Sequence, residues 1–134
     1  MRNETWNFLG KQIEAGQKLQ VMIRPYGEDY EIPTTIINGE NTGKTIVING
    51  GLHSCEFPGV VACMTTAAEI DPKKVNGRIV IIHCLNSSGF TERTDSIVPE
   101  DGMNLNRDFY GDKNGTISRK IMSFLEDEIM PIAD

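Results

Sequence analysis

The segment Lys44-Thr45-Ile46-Val47-Ile48-Asn49 is a β-branched run that ends in Gly50-Gly51, and a second apolar run, Arg78 to Leu85, begins just after Gly77. Continuous apolar runs bounded by glycine suit strands buried on both faces. Between them Val60, Val61, Met64, Ala67 and Ala68 recur at helical spacing from Glu56 onward, and Asp71-Pro72 ends that helix. A strand, a helix and a strand in that order form a right-handed βαβ unit with a parallel strand pair. Residues 44–85 therefore commit the chain to the α/β class.

The 134 residues fit one domain, since single domains commonly run about 100–150 residues. Upstream of the unit, Leu19, Val21 and Ile23 alternate, and Glu31 to Ile37 is rich in Ile and Thr, with Gly27-Glu28-Asp29 between them. This predicts a hairpin over 18–43, closed by the turn residues Asn38 to Gly43. Gly10 and Gly16 argue against a long helix at the start, so residues 1–17 are expected to form an arm or a short helix. Downstream, the stretch from Asn86 to Gly115 is rich in Ser, Gly, Asp, Asn and Arg and is too long for an idle connection. Thr116 or Ser118 can cap a last helix over 116–130 whose face holds Ile117, Ile121, Phe124, Leu125 and Ile129.

A net charge of -6 and a pI near 4.9 have the wrong sign for binding phosphate backbones or anionic membrane surfaces. No segment resembles a signal peptide or a membrane span, so a cytoplasmic location is expected. The 3 cysteines, Cys55, Cys63 and Cys84, are odd in number and irregularly spaced, and are read as free thiols.

Two clusters carry chemistry. In Gly50-Gly51-Leu52-His53-Ser54-Cys55-Glu56, the turn from strand to helix lies where open α/β sheets bind ligands, beyond the carboxyl end of a strand. His53 and Glu56 are three residues apart, so an imidazole nitrogen and a carboxylate oxygen can converge on one point, and both are zinc donors. The alternative is a surface histidine beside a glutamate that favours the helix dipole. In Asp101-Gly102-Met103-Asn104-Leu105-Asn106-Arg107, the guanidinium fork of Arg107 beside the amide of Asn106 suits a carboxylate. The alternative is a structural arginine paired with Asp101 or Asp108. His83, inside an apolar strand, reads as a hydrogen-bonded histidine, with a Cys/His metal cluster as the competing reading.

Taken together, the two motifs in their βαβ context resemble the zinc carboxypeptidase superfamily, and within it the succinylglutamate desuccinylase and aspartoacylase-like branch, over roughly residues 18 to 130. The resemblance implies a zinc-carboxypeptidase-like fold, a mixed, mostly parallel sheet flanked by helices, here truncated. It implies Zn2+ as cofactor with His53 and Glu56 as metal ligands. Asn106 and Arg107 are then substrate-binding, and Arg93 is the best match to the family's catalytic arginine, which stabilises the developing oxyanion. Ser54 stands where the family commonly has glycine. The family's third zinc ligand and its general base lie later in a catalytic domain about twice this length. The expected activity is hydrolysis of an amide bond next to a carboxylate, on a small N-acyl amino acid or a peptide end, with the 134-residue chain inactive by itself. The alternative is a non-catalytic metal- or carboxylate-binding module or assembly partner. An interrupted sheet leaves an open edge, so a homo-oligomer is expected.

Overall fold

The computed structural model describes all residues, Met1–Asp134. Residues 1–17 are neither an arm nor a helix: strands β1 (Trp6–Phe8) and β2 (Lys11–Ile13) pair antiparallel. Leu9 and Gly10 both take positive φ, 48° and 71°, which matches the twist of a two-residue hairpin turn. Gly10 thus turns a hairpin, and the alternation that this needs was present in Trp6, Phe8 and Ile13, all of which face the core.

Strands β3 (Gln17–Ile23) and β4 (Ile32–Asn38) form an antiparallel hairpin in register from Gln17 opposite Asn38 to Ile23 opposite Ile32. The turn after it is short. Strand β5 (Asn41–Asn49) already begins inside the expected turn, with Asn41 opposite Asn76 and an irregularity before Thr45. Helix α1 (Phe57–Glu69) then crosses to strand β6 (Asn76–Ile82), which lies parallel to β5 and antiparallel to β4. The sheet order is β3-β4-β6-β5. It is a mixed sheet, but within these residues parallel pairing is confined to β5 and β6. The reason is connectivity: a hairpin reverses the chain, and only the α1 crossover restores its direction.

Alternation along the strands splits the core. Ile36, Val80 and Ile82 join the larger cluster with Trp6, Leu105, Ile121 and Ile129, whereas Ile37 and Ile81 meet Cys63 and Ala67 of α1 on the other face. Helix α1 buries Val60, Cys63 and Ala67, and leaves Val61, Met64 and Ala68 outside the core face expected for them. From Phe57 to Ala68 the helix carries no charge, so apolar spacing alone cannot select which side packs. Its C-terminal carbonyls at Ala67, Ala68 and Ile70 all accept from Lys18 Nζ of β3, at 2.8–3.1 Å. This places a cation at the negative helix end.

The long 86–115 stretch contains an unforeseen helix α2 (Ser87–Glu92), capped by the Asn86 side chain, which accepts from Gly89 N at 3.1 Å. Helix α3 (Ile117–Phe124) continues into a wider turn over Leu125–Ile129. Neither Thr116 nor Ser118 caps it by its own hydroxyl. The Asp101 carboxylate does, accepting from Ser118 N at 2.8 Å and Ser118 Oγ at 2.7 Å. No helix is long and apolar enough to cross a membrane.

Candidate functional site

The turn that leaves β5 is packed against its surroundings from both sides. A Cβ on Gly50 would stand 2.8 Å from the His83 carbonyl, and Gly51, at φ +64°, has the Cys84 thiol 2.5 Å from where its Cβ would be. Only glycine fits this passage at that φ. The next residues are held in place by Ser54, whose buried hydroxyl donates to the Thr94 carbonyl at 2.5 Å. Ser54 has no positive φ, so a serine in place of glycine costs nothing there and ties the turn to the strand-distal loop.

His53 and Glu56 then face each other. His53 Nδ1 lies 3.3 Å from Glu56 Oε1, with the imidazole side chain 20% exposed and the carboxylate more open. On its other side, His53 Nε2 lies 3.0 Å from Asn104 Oδ1. Asn104 comes from the second motif, so the two motifs meet at this ring. They meet because Leu105, fully buried, anchors the short 3-10 turn Leu105–Arg107 in the core and sets its neighbours at the surface.

Arg107 is exposed, and its guanidinium donates to the Asn106 carbonyl at 3.0 Å. It pairs with neither Asp101 nor Asp108, the partners that a structural arginine would use. Asp101 is occupied in capping α3. Burial pushes its carboxyl up, but hydrogen bonds from Ser118, Thr116 and Met103 outweigh that and hold it below the usual carboxylate range. Asp108 is buried and faces Arg119 at 3.4 Å, with its Oδ2 left without a partner. Arg93 closes α2 in the left-handed region, φ 60° and ψ 40°, with its side chain exposed. A non-glycine residue held there costs of order 1 kcal/mol or more and tends to cluster at functional sites.

His83 donates to or accepts from Thr35 Oγ1 at 2.8 Å through Nε2, and burial lowers its pKa from the ordinary 6.5. Cys63 and Cys84 are buried free thiols, and burial raises the Cys84 pKa to about 11. No three His, Cys, Asp or Glu side chains come together as a metal cluster. His53 and Glu56 stand as a pair. A cavity of about 550 Å³ is lined by Tyr30, Val60, Met64, His83 and Phe90 among others, and by none of the motif residues. Asn104 is the residue that the two-motif reading passed over; its signal was its place in the second motif, three residues before Arg107.

Residues 42–133 match the sequence profile of the succinylglutamate desuccinylase/aspartoacylase catalytic domain. The chain belongs to this family. An N-alpha-acetyl-L-2,4-diaminobutyric acid deacetylase of Halomonas elongata is 32% identical over 105 residues, 77% of this chain and 30% of the deacetylase. Among solved structures, a succinylglutamate desuccinylase from a Silicibacter species superposes with a TM-score of 0.74 at 34% identity, over 78% of this chain and 31% of that one. The product-bound ectoine utilization protein EutE (DoeB) from Ruegeria pomeroyi gives a TM-score of 0.79 at 30% identity, over 87% of this chain and 37% of that one. This desuccinylase/aspartoacylase chain thus spans about a third of the length of these relatives.

Proposed function

We propose that this chain contributes two metal ligands and the carboxylate-binding group to the active site of a zinc-dependent hydrolase of amide bonds adjacent to a carboxylate, of the N-acyl-amino-acid deacylase type. The observation that carries the reading is the 3.3 Å approach of His53 Nδ1 to Glu56 Oε1. Two donors on a tetrahedral zinc, each bonded at about 2.0–2.2 Å, stand about 3.3–3.5 Å apart. The pair therefore fits one edge of such a site. Zinc held there supplies Lewis acidity toward the scissile carbonyl.

The protein's own groups have separable tasks. Arg107 presents a fork free of any ion pair, donating to the Asn106 carbonyl and suited to a substrate carboxylate, and the Asn106 amide is assigned to the same carboxylate. Binding that carboxylate fixes the adjacent amide in place. Arg93, exposed in a left-handed conformation next to the Thr94 that anchors the motif turn, is assigned to the developing oxyanion. The substrate class is supported by the deacetylase relative, which acts on an N-acetylated amino acid by its name. A peptide end is the second substrate class with the same carboxylate.

The third ligand and the general base are assigned to polypeptide outside these 134 residues. Zinc binding by this chain is then weak, and His53→Ala or Glu56→Ala abolishes it. Zinc binding indifferent to both variants overturns the ligand assignment. The isolated chain should not turn over N-acyl amino acids; robust hydrolysis would show that the site is complete as it stands. The second reading is a non-catalytic metal- or carboxylate-binding module, which the zinc and turnover measurements separate from the enzyme when repeated on the whole gene product.

The open edge of β5 and the uncharged outer side of α1 favour a homo-oligomer, for which light scattering at micromolar concentration is the test. Free cysteines throughout suit a reducing, cytoplasmic setting.

A further inference from the structure

Asn104 touches the His53 ring and also closes a turn of its own. Its Oδ1 accepts the backbone N–H of Asn106 at 2.9 Å and lies 3.0 Å from His53 Nε2. A backbone N–H can only donate, so the Asn104 atom that it meets is the amide oxygen rather than the nitrogen. An oxygen without a hydrogen cannot donate to the ring. His53 Nε2 must then carry the proton, and in the neutral imidazole this leaves Nδ1 with its lone pair. That lone pair looks at Glu56 Oε1, 3.3 Å away, itself an acceptor. In the neutral ring two acceptors so placed face each other without a hydrogen between them, and either a second proton on the ring or a metal cation satisfies both.

We infer that Asn104 is a positioning residue that locks His53 in the Nε2–H tautomer and so turns the Nδ1 lone pair toward Glu56, pre-forming the cation-binding edge before any metal arrives. The inference rests on the metal reading of His53 and Glu56 for its purpose, but the tautomer itself does not. The lock is built from the local backbone: Leu105 is buried in the core, the Asn104 side chain is pinned by the N–H two residues on, and the amide is left no freedom to flip. Groups that orient a histidine through its second nitrogen affect metal affinity by about 10- to 100-fold when removed.

The test is made on the 134-residue chain. Nitrogen-15 correlation spectra, recorded without metal at about pH 8, above the ordinary histidine range, should show His53 as the Nε2–H tautomer. The other histidine, His83, serves as an internal comparison and is identified by its loss in His83→Gln. Asn104→Leu should bring His53 to a mixture of tautomers and weaken Zn2+ binding about 10- to 100-fold. Asn104→Asp, which keeps an acceptor for both donors, should restore the tautomer. Asn104→Ser, long enough to accept from Asn106 N but too short to reach the ring, should behave like Asn104→Leu and so separates the ring contact from the turn. An Nδ1–H tautomer in the unaltered chain, or an Nε2–H tautomer that survives in both Asn104→Leu and Asn104→Ser, overturns the inference. If the tautomer behaves as stated and Zn2+ leaves the His53 resonances unmoved, the positioning stands and the metal reading falls. If Zn2+ binds through His53 equally well in all variants, the metal reading stands and the positioning falls.

Discussion

Strands β5 and β6 read almost alike and end in different places. Lys44–Asn49 and Arg78–Leu85 are both continuous, β-branched and bounded by glycine, and both were expected to be buried. In the fold β6 lies between β4 and β5 and is buried on both faces, with Val80 in one core cluster and Ile81 in the other. Strand β5 has a single neighbour, and Ile46 and Ile48 are 53% and 36% exposed. Its outer edge meets the chain start at one end, where Arg2 bridges Asn41 and Thr42 N donates to the Met1 carbonyl at 2.8 Å, and beyond that Asp134, whose N–H donates to the Thr45 carbonyl and whose carboxylate accepts from Thr45 N at 2.7 Å. An apolar run thus states that a strand is suited to burial, and neighbours decide whether it is buried.

The sharpest way to break this comparison is to truncate matched residues. Ile81→Ala, at a fully buried position, should cost about 2–5 kcal/mol of stability, whereas Ile46→Ala on β5 should cost about 1 kcal/mol or less. Urea titrations followed by fluorescence of the single tryptophan, Trp6, measure both. Equal losses would mean that β5 is covered in solution. If that cover is a second copy, Ile46→Lys should convert an oligomer into a species near 14.9 kDa by light scattering while leaving the fold intact. A size that does not change with this substitution removes the β5 edge from the interface.

A pH titration sharpens the β6 side. His83, just past that strand, has a folded pKa below its ordinary 6.5 because burial disfavours the imidazolium. The unfolded chain therefore takes up its proton first as pH falls. Stability should be intact above about pH 6.5 and decline from there toward the lowered folded value. His83→Gln should flatten that limb; a limb left unchanged would assign it to another group. The smallest effect belongs to the β5 edge: Asp134→Ala removes one exposed hydrogen bond to Thr45 and should cost at most about 1 kcal/mol. A larger loss would mark this contact as part of a more extensive covering of the edge.

The same lesson applies to α1 and to the first hairpin. Helical spacing located α1, but a helix uncharged from Phe57 to Ala68 has no polar side to point outward, so the sheet chose Val60, Cys63 and Ala67 for burial. At the start of the chain, Gly10 by itself signals only a break in a helix, and nothing local reveals that Leu9 shares its left-handed φ and closes a two-residue turn. Trp6 and Phe8 stack at 4.7 Å because both ends of that hairpin rest on the core.

In the candidate site, the pairing of His53 with Glu56 was legible because three residues across a strand-to-helix turn are bound to lie close. The contact of His53 with Asn104 was not, since it joins residues 51 positions apart. By itself the sequence determined the β5–α1–β6 order, the glycines that let the chain leave β5 tightly, and the two motifs that place this chain in the desuccinylase/aspartoacylase family. These depend on spacing and backbone sterics, which are local. Tertiary structure alone decided that β5 is an edge, that α1 shows an apolar side outward, and that Arg107 is left unpaired while Asp101 caps α3 and Asp108 faces Arg119. Each of these is a competition among distant partners for the same surface or charge, and its outcome depends on which of them the fold brings within reach.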